Sequence, residues 1–523
     1  MALSNSHHHH HHHVALFSSP GMGHIIPSLE LAKHLLTHQK ITITKITLFI
    51  PSINSSSSKA EKDVLQSTIN QNISIDIIHL PPIDISNHIS NNVLDPNNIV
   101  TLETKIAITM HEAPKLFVSA ISNMKFKPTM IITDYFLSQT LPLVKKMNNM
   151  EVPMYLFAPT SAWLVALGFH SPKLDKEVEG EYHSHGETPI LIPGCKGIHP
   201  SDLFQMMEDR THRLYLEYLL MCEALTLADG IFVNTFEELE PKTLEALRSG
   251  KITKVPIFPI GPVIRETNEQ NRNHVVDWLD IQEEESVIYV SLGSGYSMSH
   301  EQIKEMAIGL ELSGQKFVWS LRPPSTKTGN NNYYLTAGED AETNKKCHSS
   351  INVDDLILKS KSSKTNGATK SQEPSDFPEE FYRIQSNGIV VMDWAPQLEI
   401  LNHASIGGFV SHCGWNSIIE SVSCGVPIIG WPLFAEQRMN ASMLQDEEVG
   451  IAIRLNVSMS TKIVGSEEIG KAIRKIIDKG DIEGCAIRKR VKELKHIAQK
   501  AWSHHHGSSY FALTRIINSN GVS

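Results

Sequence analysis

The chain predicts an α/β fold in which two doubly wound parallel sheets face each other across a cleft. Short β-branched apolar runs alternate with amphipathic helical segments, the signature of parallel sheets covered by helices. That alternation stops in a polar stretch at 265–274 and then restarts. The length of 523 residues also suits two or three domains at roughly 150 residues each. Hydrophobic residues at 41% and charged residues at 20% are ordinary for a globular chain, which excludes collagen-like, disordered and disulfide-scaffold classes.

Taken in order, residues 14–18 read as a buried strand, and Pro20-Gly21-Met22-Gly23-His24 as a Gly-rich turn. A helix follows to Leu36, with Ile25, Leu29, Ala32 and Leu36 on one face. Further strands are expected at 41–50, 130–133, 154–157 and 231–234. After Phe258-Pro259-Ile260-Gly261-Pro262 the polar stretch marks a boundary. The second half offers a strand at 287–291, a helix at 300–312, and strands at 316–320, 388–392, 408–411 and 427–430. Residues 323–376 are rich in Ser, Thr, Asn and Lys without sustained periodicity and read as a disordered insert. The expected division is therefore a disordered His-rich terminus at 1–13, an amino-terminal domain at 14–262, a linker at 263–275, a carboxy-terminal domain at 276–500, and a terminal helix at 501–523 packing back on the first domain. The His run at 7–13 and the triplet at 504–506 carry little functional weight.

Lys plus Arg total 47 against 57 Asp plus Glu, a net charge of -10, which argues against nucleic acid as a partner. Small anions stay admissible, because backbone amides can hold them. Six cysteines without a C-x-x-C pair fit a reducing cytoplasm. No apolar run approaches the ~18 residues of a membrane span, and no export signal is visible. The sequons at Asn54, Asn72, Asn440 and Asn456 are read as chance.

The densest signal runs over 394–437. It comprises Trp394-Ala395-Pro396-Gln397, His403-Ala404-Ser405-Ile406-Gly407-Gly408-Phe409, Ser411-His412-Cys413-Gly414-Trp415-Asn416-Ser417, Glu420, Gly425-Val426-Pro427 and Trp431-Pro432-Leu433-Phe434-Ala435-Glu436-Gln437. This resembles the nucleotide-sugar signature, the PSPG box, of the plant family 1 UDP-dependent glycosyltransferases of secondary metabolism. That family has the GT-B fold of two facing Rossmann-like domains. The likeness extends through residues 18–24, 234–241 and 291–295.

The resemblance assigns His412, Asn416 and Ser417 to the phosphates together with Ser294, Trp394 to the uracil face, and Glu420 to the ribose hydroxyls. Ala395, Gln397 and Trp415 complete the donor site, and Glu436 and Gln437 are assigned to the sugar hydroxyls, for which a carboxylate and an amide suit vicinal diols. Physically, His412 ends a strand and Gly414 to Ser417 open a helix, whose free amides and positive dipole end can meet a pyrophosphate. A purely structural reading makes Trp394 and Trp431 core aromatics and Ser417-x-x-Glu420 a capping box.

By the same resemblance His24 is the general base for the acceptor hydroxyl, and Asp134, at the end of the strand 130–133, orients and stabilises its imidazole. The implied reaction has no covalent intermediate and inverts the anomeric centre, with helix-end amides and His412 stabilising the leaving diphosphate. No cofactor and no metal are called for, UDP-glucose being a co-substrate, and no Asp-x-Asp motif occurs.

Decoys are set aside on their residues. Gly465 to Lys471 lacks the P-loop Ser or Thr, because Ala472 stands there, and reads as a capped helix. Gly21-x-Gly23 has Ile26 at the third position and fails the dinucleotide fingerprint. No Gly-x-Ser-x-Gly elbow occurs, and Cys413 is read as packed behind the phosphate site.

Gln437 is the residue the family associates with glucose. Residues 19–24, 191–195 and 431–441 resemble the hydroquinone and phenylpropanoid glucosyltransferase branch, so a small phenol, phenylpropanoid or flavonoid is the expected acceptor, and a β-O-glucoside the product of a monomeric enzyme. Phe157, Trp163 and Phe169 read either as an aromatic acceptor wall or as a helix packed in the core. Competing expectations are transfer to a terpenoid alcohol or a carboxylate, a non-catalytic UDP-sugar- or hormone-binding protein, and a Rossmann oxidoreductase.

Overall fold

The computed structural model describes residues 12–38, 43–52, 59–70, 74–84, 102–147, 151–266, 273–293, 296–322, 377–392, 395–456, 463–503 and 507–519. Among them, strands β1 (His12–Phe17), β2 (Ile43–Ser52), β3 (Ile75–Pro82), β4 (Met130–Asp134), β5 (Met154–Ala158), β6 (Gly230–Val233) and β7 (Ile257–Pro259) form one sheet in the order β3-β2-β1-β4-β5-β6-β7. Strands β8 (Val287–Ser291), β9 (Lys316–Ser320), β10 (Gly388–Val391), β11 (Ile406–Ser411), β12 (Ile428–Gly430) and β13 (Ala452–Arg454) form a second in the order β10-β9-β8-β11-β12-β13. Every pairing is parallel. Helices cover both faces, so the central strands β4, β5, β8 and β11 are buried throughout, which is why each reads as an unbroken apolar run. The architecture is α/β with two Rossmann-like sheets.

In each sheet the strand order reverses at one place, between β1 and β4 in the first and between β8 and β11 in the second. Ligands of open parallel sheets bind outside the carboxyl ends of strands at such reversals. Register makes the ends coincide: Phe17 pairs with Thr133, which brings the turn after β1 beside Asp134. Ser291 pairs with Ser411, which brings the loop after β8 beside His412.

One apolar cluster runs from Phe17, Phe117 and Trp163 in the first half to Trp415, Ile418 and Val422 in the second, so the halves share core. The carboxy-terminal helix Ser508–Ser519 buries Leu513 and Ile516 in the cluster that holds Val14, Leu16 and Ile260 of the first half. Just before it, the Trp502 indole donates to the Pro262 carbonyl at 2.8 Å and stacks on His34. No helix among the described residues is long and apolar enough to cross a membrane.

The structure corrects the sequence reading in several places. The strand expected to open at residue 14 opens at His12, so the last two residues of the expected disordered terminus 1–13 are ordered. His12 Nδ1 lies 3.1 Å from the Thr129 hydroxyl and His13 Nε2 lies 2.8 Å from that of Thr47. Strands β3, β7 and β13 were not expected. β3 is an edge strand whose polar and apolar residues follow no clean alternation, and β7 and β13 have only three residues each. Residues 1–11 and the insert 323–376 lie outside the described residues.

Candidate active site

The turn after β1 delivers His24. The helix Met22–His38 begins beyond Gly21, whose φ of 95° only glycine adopts readily, and this reverses the chain so that the third helical residue stands over the sheet's carboxyl edge. There His24 Nδ1 is 2.9 Å from Asp134 Oδ2, the His side chain 20% exposed and the Asp side chain 0%. The second carboxylate oxygen accepts the Ser19 hydroxyl at 2.8 Å and the Phe136 backbone N–H at 2.9 Å. Three donors thus fix one buried carboxylate. An ionised carboxylate can only accept, so the imidazole proton belongs on Nδ1 and the lone pair on Nε2. Burial alone would lower the His24 pKa, but the charge and hydrogen bond of Asp134, with a smaller contribution from Glu436, outweigh it and leave it raised above 6.5. The ring of Phe136 meets His24 edge-on at 5.4 Å, walling one side. Ser19 was missed by sequence reading. Its place two residues past the strand, before Pro20, was the available signal.

Pro27 lies inside the same helix and has no N–H to give the carbonyl four residues earlier, that of Gly23. The group that serves it comes from the other half of the molecule. Asn416 Nδ2 donates to the Gly23 oxygen at 2.8 Å, linking the peptide next to the expected base directly to the expected phosphate cradle.

The cradle is the step from β11 into the helix Trp415–Cys424, with Gly414 at its N-cap. His412 is buried; desolvation lowers its pKa to about 4, so its ring is neutral, and its Nδ1 has no partner among the described residues. A Cβ on Gly293 or Gly414 would lie 2.7 or 2.5 Å from His412 Nε2. Only two glycines allow this imidazole its position. A buried ring nitrogen without a partner, beside a helix amino terminus that favours negative charge, suits a phosphate. Cys413, at φ 63°, is buried with its thiol pushed up to about 12, and therefore inert.

Gln397, in the short helix Gln397–Leu401, donates from Nε2 to Ser417 Oγ at 3.0 Å and Glu420 Oε2 at 2.8 Å, so these three expected residues meet. The capping-box reading of Ser417 and Glu420 fails, because Ser417 lies inside the helix and both side chains serve Gln397 instead. Burial raises the Glu420 pKa, against the opposing bond from Gln397. Ala395 is buried beside them. The Trp415 indole points away from the cradle, donating to the Asn234 carbonyl of the first half at 2.8 Å, so this side chain is an interface anchor. Trp431 is a core residue, as the structural reading held.

Glu436 is half-buried with its pKa raised by desolvation, and its charge and that of His24 act on each other. Gln437 Oε1 accepts from the Leu433 and Phe434 N–H groups at 2.9 and 3.0 Å, leaving the amide nitrogen to donate elsewhere. Phe157 sits in the core as part of β5, and on the helix Ala162–Glu177 Trp163 is core and Phe169 packs against it, the core-packing alternative. Ser294 and Trp394 lie outside the described residues.

Residues 378–486 match the family model described as UDP-glucoronosyl and UDP-glucosyl transferase. The chain is 41% identical over 97% of its length to anthocyanidin 3-O-glucosyltransferase 5 of Manihot esculenta, covering 94% of that protein. It is 35% identical to the hydroquinone glucosyltransferase of Rauvolfia serpentina, over 96% of each. Among solved structures, Phytolacca americana UGT2 complexed with UDP-2fluoro-glucose and pterostilbene superposes with a TM-score of 0.78 at 31% identity, covering 97% of this chain and 99% of that one.

Proposed function

Because the chain belongs to the UDP-glucoronosyl and UDP-glucosyl transferase family, we propose that it transfers glucose from UDP-glucose to a hydroxyl of a small phenolic acceptor, inverting the anomeric carbon to give a β-O-glucoside. The observation that carries this reading is the half-buried His24 hydrogen-bonded at 2.9 Å to the buried Asp134, with Asn416 of the diphosphate cradle bonded to the carbonyl of the adjacent Gly23. That bond ties the residue beside the proposed base to the proposed leaving-group site.

In this reading His24 Nε2 takes the acceptor proton while the acceptor oxygen attacks the anomeric carbon from its side of the sugar. The bond to UDP breaks on the opposite face, which inverts configuration without a covalent enzyme intermediate. Asp134 holds the ring and stabilises the imidazolium that forms. His412 and the amides at the start of the helix Trp415–Cys424 stabilise the charge arriving on the diphosphate. Gln397, Ser417 and Glu420 are the ribose and phosphate side of the site, and Glu436 and Gln437 the sugar side. Relatives named for anthocyanidin and hydroquinone acceptors support a phenol, and a phenol with a pKa near 10 is acidic enough for a histidine base.

Purified protein incubated with UDP-glucose and a panel of phenols, flavonoids, terpenoid alcohols and carboxylic acids tests the assignment. We expect phenolic β-glucosides, identified by the anomeric proton coupling, and a loss of at least about 1000-fold in turnover for His24→Ala with UDP affinity retained. Unchanged turnover in that variant removes the base, and an α-linked product removes the inverting mechanism.

A further inference from the structure

We propose that Gln205, which belongs to the amino-terminal half, positions the sugar-recognising turn of the carboxy-terminal half; the proposal rests on the reading of Glu436 and Gln437 as sugar contacts. Ala435 immediately precedes them and has a φ of 54°. A residue with a side chain stays in that left-handed region only where its surroundings hold it there.

The holding comes from two sides. From within the turn, Gln437 Oε1 gathers the N–H groups of Leu433 and Phe434. From the other half, Gln205 takes both polar backbone groups of Ala435: its side-chain Oε1 accepts the Ala435 N–H at 2.8 Å, and its own N–H donates to the Ala435 carbonyl at 3.2 Å. Both peptide planes of Ala435 are therefore fixed, and the direction in which the chain enters Glu436 and the helix Gln437–Gln445 is fixed with them.

Gln205 is half-buried and opens a short turn that is fastened independently on each side. Asp202 pairs with Arg454 at 2.6 Å, and Glu208 pairs with Arg438. Those ion pairs bring the loop to the interface; the contact with Ala435 is what shapes the turn. The UDP cradle is held by bonds of its own, Asn416 to the Gly23 carbonyl and Gln397 to Ser417 and Glu420. Removing the Gln205 side-chain acceptor should consequently weaken recognition of the sugar while sparing recognition of UDP, so that the first half of the molecule takes part in donor selection as well as acceptor binding.

Calorimetric titration with UDP and with UDP-glucose, without acceptor, reads the two separately. For Gln205→Ala the dissociation constant for UDP-glucose is expected to rise about tenfold, with that for UDP changed less than about twofold, the scale of one or two misaligned hydrogen bonds. Gln205→Met, which keeps the side-chain volume, should show the same gap. Gln205→Glu, which keeps the accepting oxygen, should restore the wild-type ratio. Glu208→Gln, which loosens the interface without touching Ala435, should leave the ratio unchanged. An unchanged ratio in Gln205→Ala and Gln205→Met, or an equal loss for both ligands, overturns the role of Gln205. Failure of the wild-type protein to bind UDP or UDP-glucose overturns the donor assignment itself.

Discussion

One carboxylate with three donors decides the chemistry of its neighbour. Asp134 is held by Ser19 and the Phe136 amide on one oxygen and by His24 on the other, so it cannot turn away from the imidazole. The resulting upward shift of His24 has a sign that can be followed. A base must be neutral, so kcat/KM should fall as pH drops through a value above 6.5. The pair's contribution to folding runs the other way: it is fully present below 6.5 and lost as pH rises through the raised folded value. Asp134→Asn removes both the orientation and the charge, and turnover should fall at least about 100-fold, with any residual acid limb moved to lower pH. A pH–rate profile that keeps its limb in place in Asp134→Asn would show that the limb belongs to another group.

Local chain geometry places these residues before any substrate is involved. Pro27 removes a helical donor, and the carbonyl so released, Gly23, becomes the point where Asn416 of the second half attaches. The loop after β8 shows the same economy of space. Gly293 has φ 79°, and a Cβ there would stand 2.7 Å from His412 Nε2. Gly293→Ala therefore imposes both a backbone penalty and a collision with the imidazole meant for the phosphate. We expect UDP affinity to fall at least about tenfold, equivalent to about 1.4 kcal/mol, with little change in thermal midpoint, because the loop rather than the sheet gives way. Calorimetric titration beside a thermal melt checks this; retained UDP affinity would mean that His412 does not touch the phosphates.

At the scale of the molecule, function requires two sheets to meet in one register. The shared core around Trp415 supplies most of the adhesion, and ion pairs between the halves, Lys196–Asp446, Asp202–Arg454, Lys242–Glu448 and Glu208–Arg438, set the alignment. Exposed pairs such as Lys242–Glu448 contribute little, whereas Asp202 has an 8% exposed side chain and a guanidinium at 2.6 Å. Asp202→Ala leaves Arg454 without that carboxylate in a half-buried setting and should cost about 2 kcal/mol. Denaturant unfolding measures it, and Lys242→Ala, expected to leave the unfolding midpoint unchanged, is the comparison. Equal effects of the two would show that burial does not govern this interface.

The sequence by itself determined the α/β class, the two sheets, and the box at 394–437, because buried parallel strands are written as continuous apolar runs and a helix amino terminus after a strand carries its own chemistry. It also determined that a histidine lies just past β1 and an aspartate at the end of β4. Edge strand β3, the three-residue β7 and β13 and the ordered His12 and His13 were illegible, since their conformation depends on neighbours and not on local pattern. Only the tertiary structure decided that His24 and Asp134, 110 residues apart, share a hydrogen bond, that Ser19 completes the pair, and that Asn416 and Gln205 carry contacts from one half to the other. The physical reason is that strand order and register, which no single stretch of chain encodes, choose which loop ends meet, and hydrogen bonds a few ångströms long form only where they do.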